Sequence, residues 1–537
     1  MRSIELYDTT LRDGAQGEGI TFSLEDKLKI VQRLDQMGFH YVEGGWPGSN
    51  PKDLAFFKRA KNISFNNTVL TAFSSTRKPG ITPEEDHNMK CLVESAVSTV
   101  AIFGKSWDFH VERALETTLD ENLNMIQDSL AYLVNKGLTA FYDAEHFFDG
   151  YKANPEYALA TLDAAVKGGA SRIILCDTNG GSMPWEISNI VSLVRERIQV
   201  PLGIHCHNDS ELAVANSLAA VQAGCLQVQG TVNGYGERCG NANLCSLIPN
   251  LSYKCGMETL PGANVNRITE LSRFVSELAN MSPASSQPYV GSSAFAHKGG
   301  VHVSALQKNP RTYEHIEPEL VGNNRRVLVS ELSGMSNLLY KYRELNLDVR
   351  TTGREERQVL EELKEMEHRG YQFEGAEGSF ALRIRKAYHD YQEPFELNNL
   401  RIMIEMRDDG QVRSEAVIKM TVGDHEVHTA AEGNGPVNAL DNALRKALND
   451  FFPAIKEMHL SDYKVRVLEG KDGTGSMVRV LVETTDGKKN WGTIGVSPNI
   501  IEASWQALVD SIAYGLLQHE ESKNKNSMSS TATPADA

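Results

Sequence analysis

Residues 171–232 read SRIILCDTNGGSMPWEISNIVSLVRERIQVPLGIHCHNDSELAVANSLAAVQAGCLQVQGTV, and this stretch decides the fold. It holds three short runs rich in β-branched and apolar residues, at 171–176, 201–205 and 226–232, with a longer amphipathic segment between each pair. Strand-like runs that alternate with helical patterns are typical of repeated βα units and a parallel sheet. The stretch therefore predicts three successive strands joined by two helices.

Five similar runs precede it, at 3–7, 39–43, 68–73, 98–103 and 138–142. The segment after the first run shows how a helix is specified, because Ser23 can cap it with Asp26 three residues on and Gly38 can end it. Eight βα repeats close into a barrel more readily than they form an open sheet, so the sequence predicts a (β/α)8 TIM barrel over residues 1–265. In such barrels the chemistry lies at the carboxyl ends of the strands.

The rest of the chain differs in character. Residues 266–394 favour helix, including one exposed helix over 355–367, and we interpret them as a mainly helical linker subdomain. Strand-like runs return over 395–518. There AAEGNGPVNALDNALRKAL (430–448) and GTIGVSPNIIEASWQALVDSI (492–512) share a glycine-rich turn, a proline and an apolar-periodic helix, which predicts an α/β domain with an internal βα repeat. The polar residues 519–537 predict a disordered tail.

Composition excludes several classes of function. The formal net charge of -16 repels phosphodiester backbones and anionic membranes, so we expect neither nucleic acid nor a membrane as a partner. The N-terminus lacks the apolar segment of a signal peptide, and the seven cysteines are odd in number without a C-x-x-C pair. These features favour a cytoplasmic protein with reduced thiols.

Two histidines end the seventh predicted strand, in HCHND (205–209). Residues i and i+2 of a strand share a face, so His205 and His207 point the same way while Cys206 points oppositely. Paired imidazoles at the rim of a barrel suit a metal ion, although a hydrogen-bonded core histidine is the structural alternative.

Two more motifs flank this pair. Strands seven, eight and one are neighbours in a closed barrel, so DTTLRDG (8–14) and GYGERCGNAN (234–243) bring Asp13 and Asn241 within reach of the same ion. Two imidazoles, a carboxylate and an amide oxygen form a mixed N/O ligand set that favours Mg, Mn or Zn.

Three further residues are candidates for the chemistry. Arg12 can polarise a carbonyl or hold a carboxylate, or it can form a salt bridge at the barrel mouth. Glu145, in FYDAEHF (141–147), can act as an acid or base or be an ordinary surface carboxylate. His302, in AHKGGVH (296–302), can complete the site as a lid residue or be a structural loop residue.

At DTTLRDGAQ, HCHND and GERCGNAN together the sequence closely resembles the DRE-TIM metallolyase family, in its 2-isopropylmalate, homocitrate and citramalate synthase branch. AHKGGVHVSALQK resembles the accessory subdomain of the branch, and residues 395–518 resemble its regulatory dimerisation domain. YDTTLRDGAQGEGI (7–20) and YVEGGWPGSNPKD (41–53) look more like the citramalate-forming than the isopropylmalate-forming members.

The resemblance implies a metal-dependent condensation of acetyl-CoA with pyruvate. Asp13, His205, His207 and Asn241 would bind the ion, which chelates the 2-oxo acid. Arg12 would stabilise the alkoxide that forms when the methyl carbon of acetyl-CoA attacks the keto carbon.

The remaining roles also follow from the resemblance. Thr178, in the DT pair after strand six, would contact the 2-oxo acid, and Glu145 and His302 match residues assigned to proton transfer. The product would be (R)-citramalate, and its formation would be the first step of a threonine-independent route to isoleucine. A homodimer regulated by a branched-chain amino acid is implied, with isoleucine favoured and leucine as the competitor.

Three alternatives stay open at this stage. The first is a 2-isopropylmalate synthase acting on 2-oxoisovalerate, and the second is a metal-dependent aldolase or lyase on the same barrel. The third is a non-catalytic protein that binds an amino acid.

Overall fold

The structure is a computed structural model that describes residues 2–261, 264–328, 340, 355–387, 391–406, 408, 410–468 and 475–530. It divides into two compact units, Met1–Phe295 with His315–Arg325 and Ala296–Glu314 with Arg326–Ala537. Among the described residues, none of the helices combines the length and the apolar character needed to cross a bilayer.

The first unit is a closed barrel of eight parallel strands that follow one another in chain order, with the last strand paired to the first. Each of the eight predicted runs overlaps one of these strands, so the TIM barrel is confirmed. The strands are β1 (Glu5–Asp8), β2 (Tyr41–Gly45), β3 (Val69–Ser75), β4 (Thr99–Lys105), β5 (Thr139–Glu145), β6 (Arg172–Asp177), β7 (Leu202–Cys206) and β8 (Gln227–Gly230).

Helices surround the barrel and bury their apolar stripes against its outer face. They are α1 (Leu24–Met37), α2 (Pro51–Ala60), α3 (His87–Glu94), α4 (Asp108–Arg113), α5 (Leu119–Asn135), α6 (Phe147–Ala153), α7 (Pro155–Lys167), α8 (Pro184–Arg197), α9 (Ala213–Ala223), α10 (Leu244–Pro249) and α11 (Ile268–Leu278). Short 3-10 segments lie at Gly14–Gln16, Val232–Gly234, Asn264–Arg267 and Pro318–Val321, and a π-helical turn at Asn250–Lys254.

Helix α1 begins and ends where the sequence predicts. The Ser23 hydroxyl accepts a hydrogen bond from the backbone N–H of Asp26, and the Asp26 carboxylate accepts one from the backbone N–H of Ser23. Gly38 ends the helix with a φ of 88°, a left-handed conformation that favours glycine. Both ends of the helix are therefore determined locally.

The boundary suggested at residue 265 does not coincide with the edge of the first unit. Helix α11 lies beyond it, yet Ile268, Leu271 and Val275 are buried in the core that covers the barrel. Contacts with that core, rather than a change of local pattern, decide where the unit ends. The four-part division drawn from the sequence stays a prediction.

The second unit contains a two-stranded sheet, β9 (Ala296–His297) and β10 (Arg326–Val327), followed by two antiparallel three-stranded sheets. The first of these is β11 (Glu396–Met406), β12 (Val412–Val422) and β13 (His425–Gly433), and the second is β14 (His459–Val467), β15 (Val478–Thr485) and β16 (Asn490–Ser497). The helices are α12 (Gly300–Lys308), α13 (Glu355–His368), α14 (Glu377–Ala387), α15 (Pro436–Leu448) and α16 (Ile500–Ser530), with 3-10 segments at Pro310–Thr312, Phe373–Gly375 and Pro453–Glu457.

The C-terminal α/β region is confirmed, but its repeat is βββα rather than βα. Each sheet of three strands is followed by one helix, α15 or α16, at the two glycine- and proline-containing turns noted in the sequence. Strand β12 alternates buried and half-buried residues, as expected for a sheet with one face against a helix. The two segments that look alike in the sequence cover only the last strand of each repeat and the helix that follows it.

Two helical predictions need correction. Helix α13 is present, but it is not exposed all round, since Val359 and Leu363 pack into a small core with residues of α14 and β16. Helix α16 continues through Ser530, so residues 519–530 are helical rather than a disordered tail. Residues 531–537 of that predicted tail lie outside the described residues.

Candidate active site

Three sequence motifs meet at the carboxyl ends of β7, β8 and β1. Strand β1 pairs with β8 through Asp8 and Gly230, which places the DTTLRDG loop beside the loop after β8. That loop returns to β7, where Asn241 forms an isolated bridge with His207. Residues more than 200 positions apart therefore share one edge of the barrel.

Asp13, His205 and His207 form a compact and buried cluster. The Oδ2 atom of Asp13 lies 3.3 Å from Nε2 of His205 and 3.9 Å from Nε2 of His207, and the two Nε2 atoms are 3.4 Å apart. One ligand atom from each residue lies within 4.8 Å of the others. Cys206 points away into the outer core, as the strand periodicity predicts.

The electrostatics of this cluster favour a cation at its centre. Burial acts to raise the pKa of Asp13, but Arg12 and the two imidazoles outweigh it and hold that pKa well below its usual range. Burial acts to lower the pKa of His205, yet the hydrogen bond with Asp13 raises it. Burial and the neighbouring His205 lower the pKa of His207 to about 4, so His207 presents a neutral imidazole of the kind that binds metals.

Asn241 adds an amide oxygen to the cluster. Its Nδ2 donates to the carbonyl of Tyr235 at 3.2 Å, while its buried Oδ1 finds no hydrogen-bond partner among the described residues. A buried acceptor without a partner is costly unless something is bound to it. The donor set and this unpartnered oxygen fit a divalent ion with mixed N/O ligands.

Gln229 on β8 orients one imidazole. Its Oε1 lies 2.9 Å from Nδ1 of His205 and accepts a hydrogen bond from that nitrogen, which leaves Nε2 facing Asp13 and His207. This arrangement is the usual support for a metal-binding histidine.

Arg12 is held by a second carboxylate that the sequence reasoning missed. Its Nε donates to Oε2 of Glu43 at 2.5 Å, its Nη1 lies 3.3 Å from Asp13, and its guanidinium lies 3.9 Å from the ring centre of Phe73. Tyr7 donates its hydroxyl proton to the other oxygen of Glu43 at 2.8 Å. Burial lowers the pKa of Arg12, but Glu43 and Asp13 raise it above its usual value, so the guanidinium is a fixed positive charge.

A cavity of about 200 Å³ opens in front of these groups. Its lining combines the polar cluster and Arg12 with the rings of Trp46, Phe73 and Phe103. Its lining consists of Arg12, Asp13, Gln16, Trp46, Phe73, Phe103, Asp143, Glu145, Cys176, Thr178, His205, His207, Glu237 and Arg238. This volume accommodates a small organic acid.

Glu145 and Thr178 both line this cavity. The Glu145 carboxylate forms an ion pair with Lys105 at the end of β4. The Thr178 hydroxyl accepts a hydrogen bond from the backbone N–H of His146 at 2.9 Å, and its carbonyl accepts one from Arg238 at 2.7 Å. Arg238 also binds Asp209 through two hydrogen bonds of 2.8 and 3.0 Å, which ties together the loops after β6, β7 and β8.

His302 lies on helix α12. It belongs to the second compact unit, where its exposed ring stacks on Tyr313 with ring centres 4.0 Å apart. Its part in the reaction stays a prediction.

The site contains three groups that sequence reasoning overlooked. Glu43 lies in the middle of β2 inside VEGG, Asp143 lies two residues before Glu145 and so on the same face of β5, and Gln229 lies on β8 between Val228 and Gly230. The period of two along a strand was a sufficient signal for Asp143. Burial, together with the charge of Glu43, raises the pKa of Asp143 to about 7.

Comparison with known proteins assigns the family. The chain is 56% identical over 522 residues to an (R)-citramalate synthase of Geobacter sulfurreducens, which covers 97% of this chain and 99% of that protein. The chain belongs to the citramalate synthase family. A second citramalate synthase, from Aquifex aeolicus, is 54% identical over 520 residues, covering 96% of this chain and 98% of the relative.

Three family models match the chain in order. They are HMGL-like over residues 3–275, homocitrate synthase post-HMGL domain-like over 289–371, and the LeuA allosteric (dimerisation) domain over 374–516. Among solved structures, the hydroxymethylglutaryl-CoA lyase of Pseudomonas aeruginosa matches with a TM-score of 0.45 and 18% identity, covering 52% of this chain and 94% of that one. In this citramalate synthase family member, the C-terminal domain is of the type that dimerises and regulates.

Proposed function

We propose that the chain condenses acetyl-CoA with pyruvate to give (R)-citramalate and CoA, in a reaction that depends on a divalent metal ion. The observation that carries the proposal is the cluster of Asp13, His205, His207 and the unpartnered Oδ1 of Asn241, at the mouth of a barrel whose relatives are citramalate synthases. A bound ion would act as a Lewis acid on the keto group of pyruvate.

The residues around the cavity position and polarise the 2-oxo acid. Arg12 carries a fixed charge beside the ligand cluster, so it is placed to stabilise the negative charge that develops on the keto oxygen. Thr178 lines the same cavity, and its carbonyl is held by Arg238. We assign Thr178 to contact with the pyruvate carboxylate.

The bond-forming step needs a base. A methyl proton of acetyl-CoA is removed, the resulting carbanion attacks the keto carbon of pyruvate, and the keto oxygen becomes a hydroxyl by taking up a proton. Water then hydrolyses the thioester to a carboxylate and the CoA thiol, which makes the reaction irreversible. We assign proton transfer to Glu145, which lines the cavity, and to His302 of the second unit.

A substrate panel tests this proposal. Release of the CoA thiol is measured with pyruvate, 2-oxobutyrate and 2-oxoisovalerate, each with and without a chelator. We expect pyruvate to give the highest kcat/KM, no turnover after chelation, and recovery with Mg, Mn or Zn. Faster turnover of 2-oxoisovalerate would assign a 2-isopropylmalate synthase, and cleavage of a 4-hydroxy-2-oxo acid without acetyl-CoA would assign a lyase.

His205→Ala is the matching variant. Losing one of four ligands should reduce turnover by at least about 100-fold while the fold is retained, as checked by circular dichroism. His87→Ala is the control, since His87 is an exposed residue on α3. Normal turnover in His205→Ala would remove the metal from the mechanism.

We further propose that the enzyme is a cytoplasmic homodimer inhibited by isoleucine. The match to the LeuA allosteric (dimerisation) domain supports both the dimer and the regulation. An enzyme whose product leads towards isoleucine is expected to respond to isoleucine rather than leucine. Adding each amino acid separately to the same assay distinguishes the two effectors.

A further inference from the structure

One wall of the cavity is held by a charged pair that the mechanism does not use. Lys27 of α1 and Asp53 of α2 form an ion pair, and both residues are buried, with 4% and 6% of their surface exposed. Removing two charges from water is costly, and a buried pair is therefore weak evidence for stability in itself. Its hydrogen bonds show which segment it holds in place.

Both members of the pair bind the backbone of the segment Gly44–Gly45–Trp46, at the carboxyl end of β2. Lys27 Nζ donates to the carbonyl of Gly44 at 3.1 Å, and Oδ2 of Asp53 accepts from the backbone N–H of Trp46 at 2.9 Å. Gly45 has a φ of 143°, and a Cβ at this position would overlap the Asp53 carboxylate. The backbone path up to Trp46 is thus fixed on both sides.

Trp46, whose backbone the ion pair holds, forms part of the apolar wall of the cavity. The ring of Trp46 meets Phe73 and Phe103 edge to face, each with ring centres 5.7 Å apart, while its Nε1 donates to Oδ1 of Asn88 at 3.3 Å. All three rings line the same cavity as the metal-binding histidines and Asp13, and they are the large apolar side chains of its lining. A 2-oxo acid whose oxygens face that cluster and Arg12 would turn its alkyl group towards this wall.

We propose that Trp46 limits the length of the 2-oxo acid side chain and that the buried Lys27–Asp53 pair is the positioning device that holds Trp46 against the cavity. The inference rests on the proposed condensation with a 2-oxo acid. One methylene in an apolar pocket is worth about 10- to 200-fold in kcat/KM, so a rigid wall can separate pyruvate from its next homologue. If Trp46 could move away from the cavity, the extra methylene would be accommodated and the two substrates would not be separated.

The test compares kcat/KM for 2-oxobutyrate with kcat/KM for pyruvate across four proteins. Trp46→Ala should raise this ratio by about 10-fold or more. The double variant Lys27→Met with Asp53→Asn removes both charges together, so that no charge is left unpaired in the core, and it should raise the ratio in the same direction by a smaller factor. Wild type is the reference.

Glu25→Gln is the matched control. Glu25 pairs with Arg59 and also joins α1 to α2, but both partners are exposed and neither binds residues 44–46. We expect its substrate ratio to equal that of wild type. This control separates the effect of the buried pair from that of any ion pair between the two helices.

The outcomes test the role of Trp46, the role of the ion pair and the proposed function separately. An unchanged ratio in Trp46→Ala would overturn Trp46 as the wall. A double variant with lowered thermal stability but an unchanged ratio would make the pair merely structural. If wild type turns over no 2-oxo acid with acetyl-CoA, the proposed function fails, and the wall is then judged by competition of pyruvate and 2-oxobutyrate for the metal-loaded enzyme, where 2-oxobutyrate should gain affinity only in the variants.

Discussion

At the scale of single residues, the site is a set of polar and charged groups whose positions are fixed by neighbours that do not line the cavity. Glu43 holds Arg12, and Gln229 holds His205. Such supporting contacts fix the direction of a lone pair or a guanidinium before any ligand arrives. Removing Glu43 or Gln229 should therefore change the affinity for the metal ion or the reaction rate, while the residues that bind the ion stay the same.

Gln229→Leu tests the supporting hydrogen bond to His205. Without an acceptor at Nδ1 the imidazole is free to rotate or to change tautomer, so we expect the apparent Kd for Mn²⁺ to rise about 10- to 100-fold. The measurement is recovery of activity when chelated enzyme is titrated with Mn²⁺. Gln227→Leu is the control, because Gln227 lies on the same strand but binds Glu5. Equal losses in both variants would contradict the assignment.

The raised pKa of Asp143 predicts how the free energy of unfolding of the chelated enzyme changes with pH. Burial and Glu43 raise its pKa to about 7, whereas an aspartate in the unfolded chain has a pKa of about 3.9. Between these values the folded chain binds the extra proton, so this residue's contribution to the free energy of unfolding falls as pH rises from about 4 to about 7.

Asp143→Asn should remove that contribution. Urea unfolding of wild type and variant at pH 5 and pH 8 measures it, and the variant should gain most, relative to wild type, at pH 8. A difference between the two proteins that is the same at both pH values would exclude an ionisation of Asp143 in this range.

At the scale of elements, the predicted bounds of β5 and β7 fall short of the observed strands at their carboxyl ends. The predicted runs stop at residues 142 and 205, whereas β5 and β7 continue to Glu145 and Cys206. The carboxyl ends carry polar side chains for the chemistry, which interrupt the apolar pattern that identifies a strand. Helix α1 shows no such conflict, since neither of its capping residues, Ser23 and Gly38, lines the cavity.

Ser23→Ala tests the local determination of α1. Loss of the capping hydrogen bonds should lower the free energy of unfolding of the first unit by about 1 kcal/mol. Urea denaturation followed by circular dichroism measures the change. In the control, Ser192→Ala, the exposed hydroxyl that bonds the carbonyl of Ser188 within α8 is removed, and the effect should stay within about 0.5 kcal/mol. Equal effects would mean that the cap is not used.

At the scale of the whole molecule, the two compact units carry different parts of the proposed activity. Asp13, His205, His207 and Asn241 all lie in the first unit, and the region that matches the LeuA allosteric (dimerisation) domain lies in the second. A ligand that binds one folded unit stabilises that unit by mass action, by about 2.7 kcal/mol at 100 times its Kd.

Calorimetry should therefore separate the units. We expect two unfolding transitions, of which Mn²⁺ at 100 times its Kd raises the Tm of only one, and His205→Ala should abolish that shift. Isoleucine should raise the Tm of the other transition. A single transition that both ligands shift equally would show that the units unfold together.

The sequence by itself determined the eight βα units, the caps of α1, and the motifs that hold Asp13, His205, His207 and Asn241, because each depends on periodicity or on neighbours within a few residues. Closure of the barrel then made their meeting predictable, since strands seven, eight and one must adjoin.

Only the tertiary structure decided the rest. Glu43, Gln229 and the Lys27–Asp53 pair act through partners on other strands or helices, and α11 joins the first unit through an apolar face that no local signal assigns to it. The βββα repeat likewise depends on antiparallel pairing across turns. Contacts between distant residues leave no periodic mark in a single sequence, so they become visible only when the chain is folded.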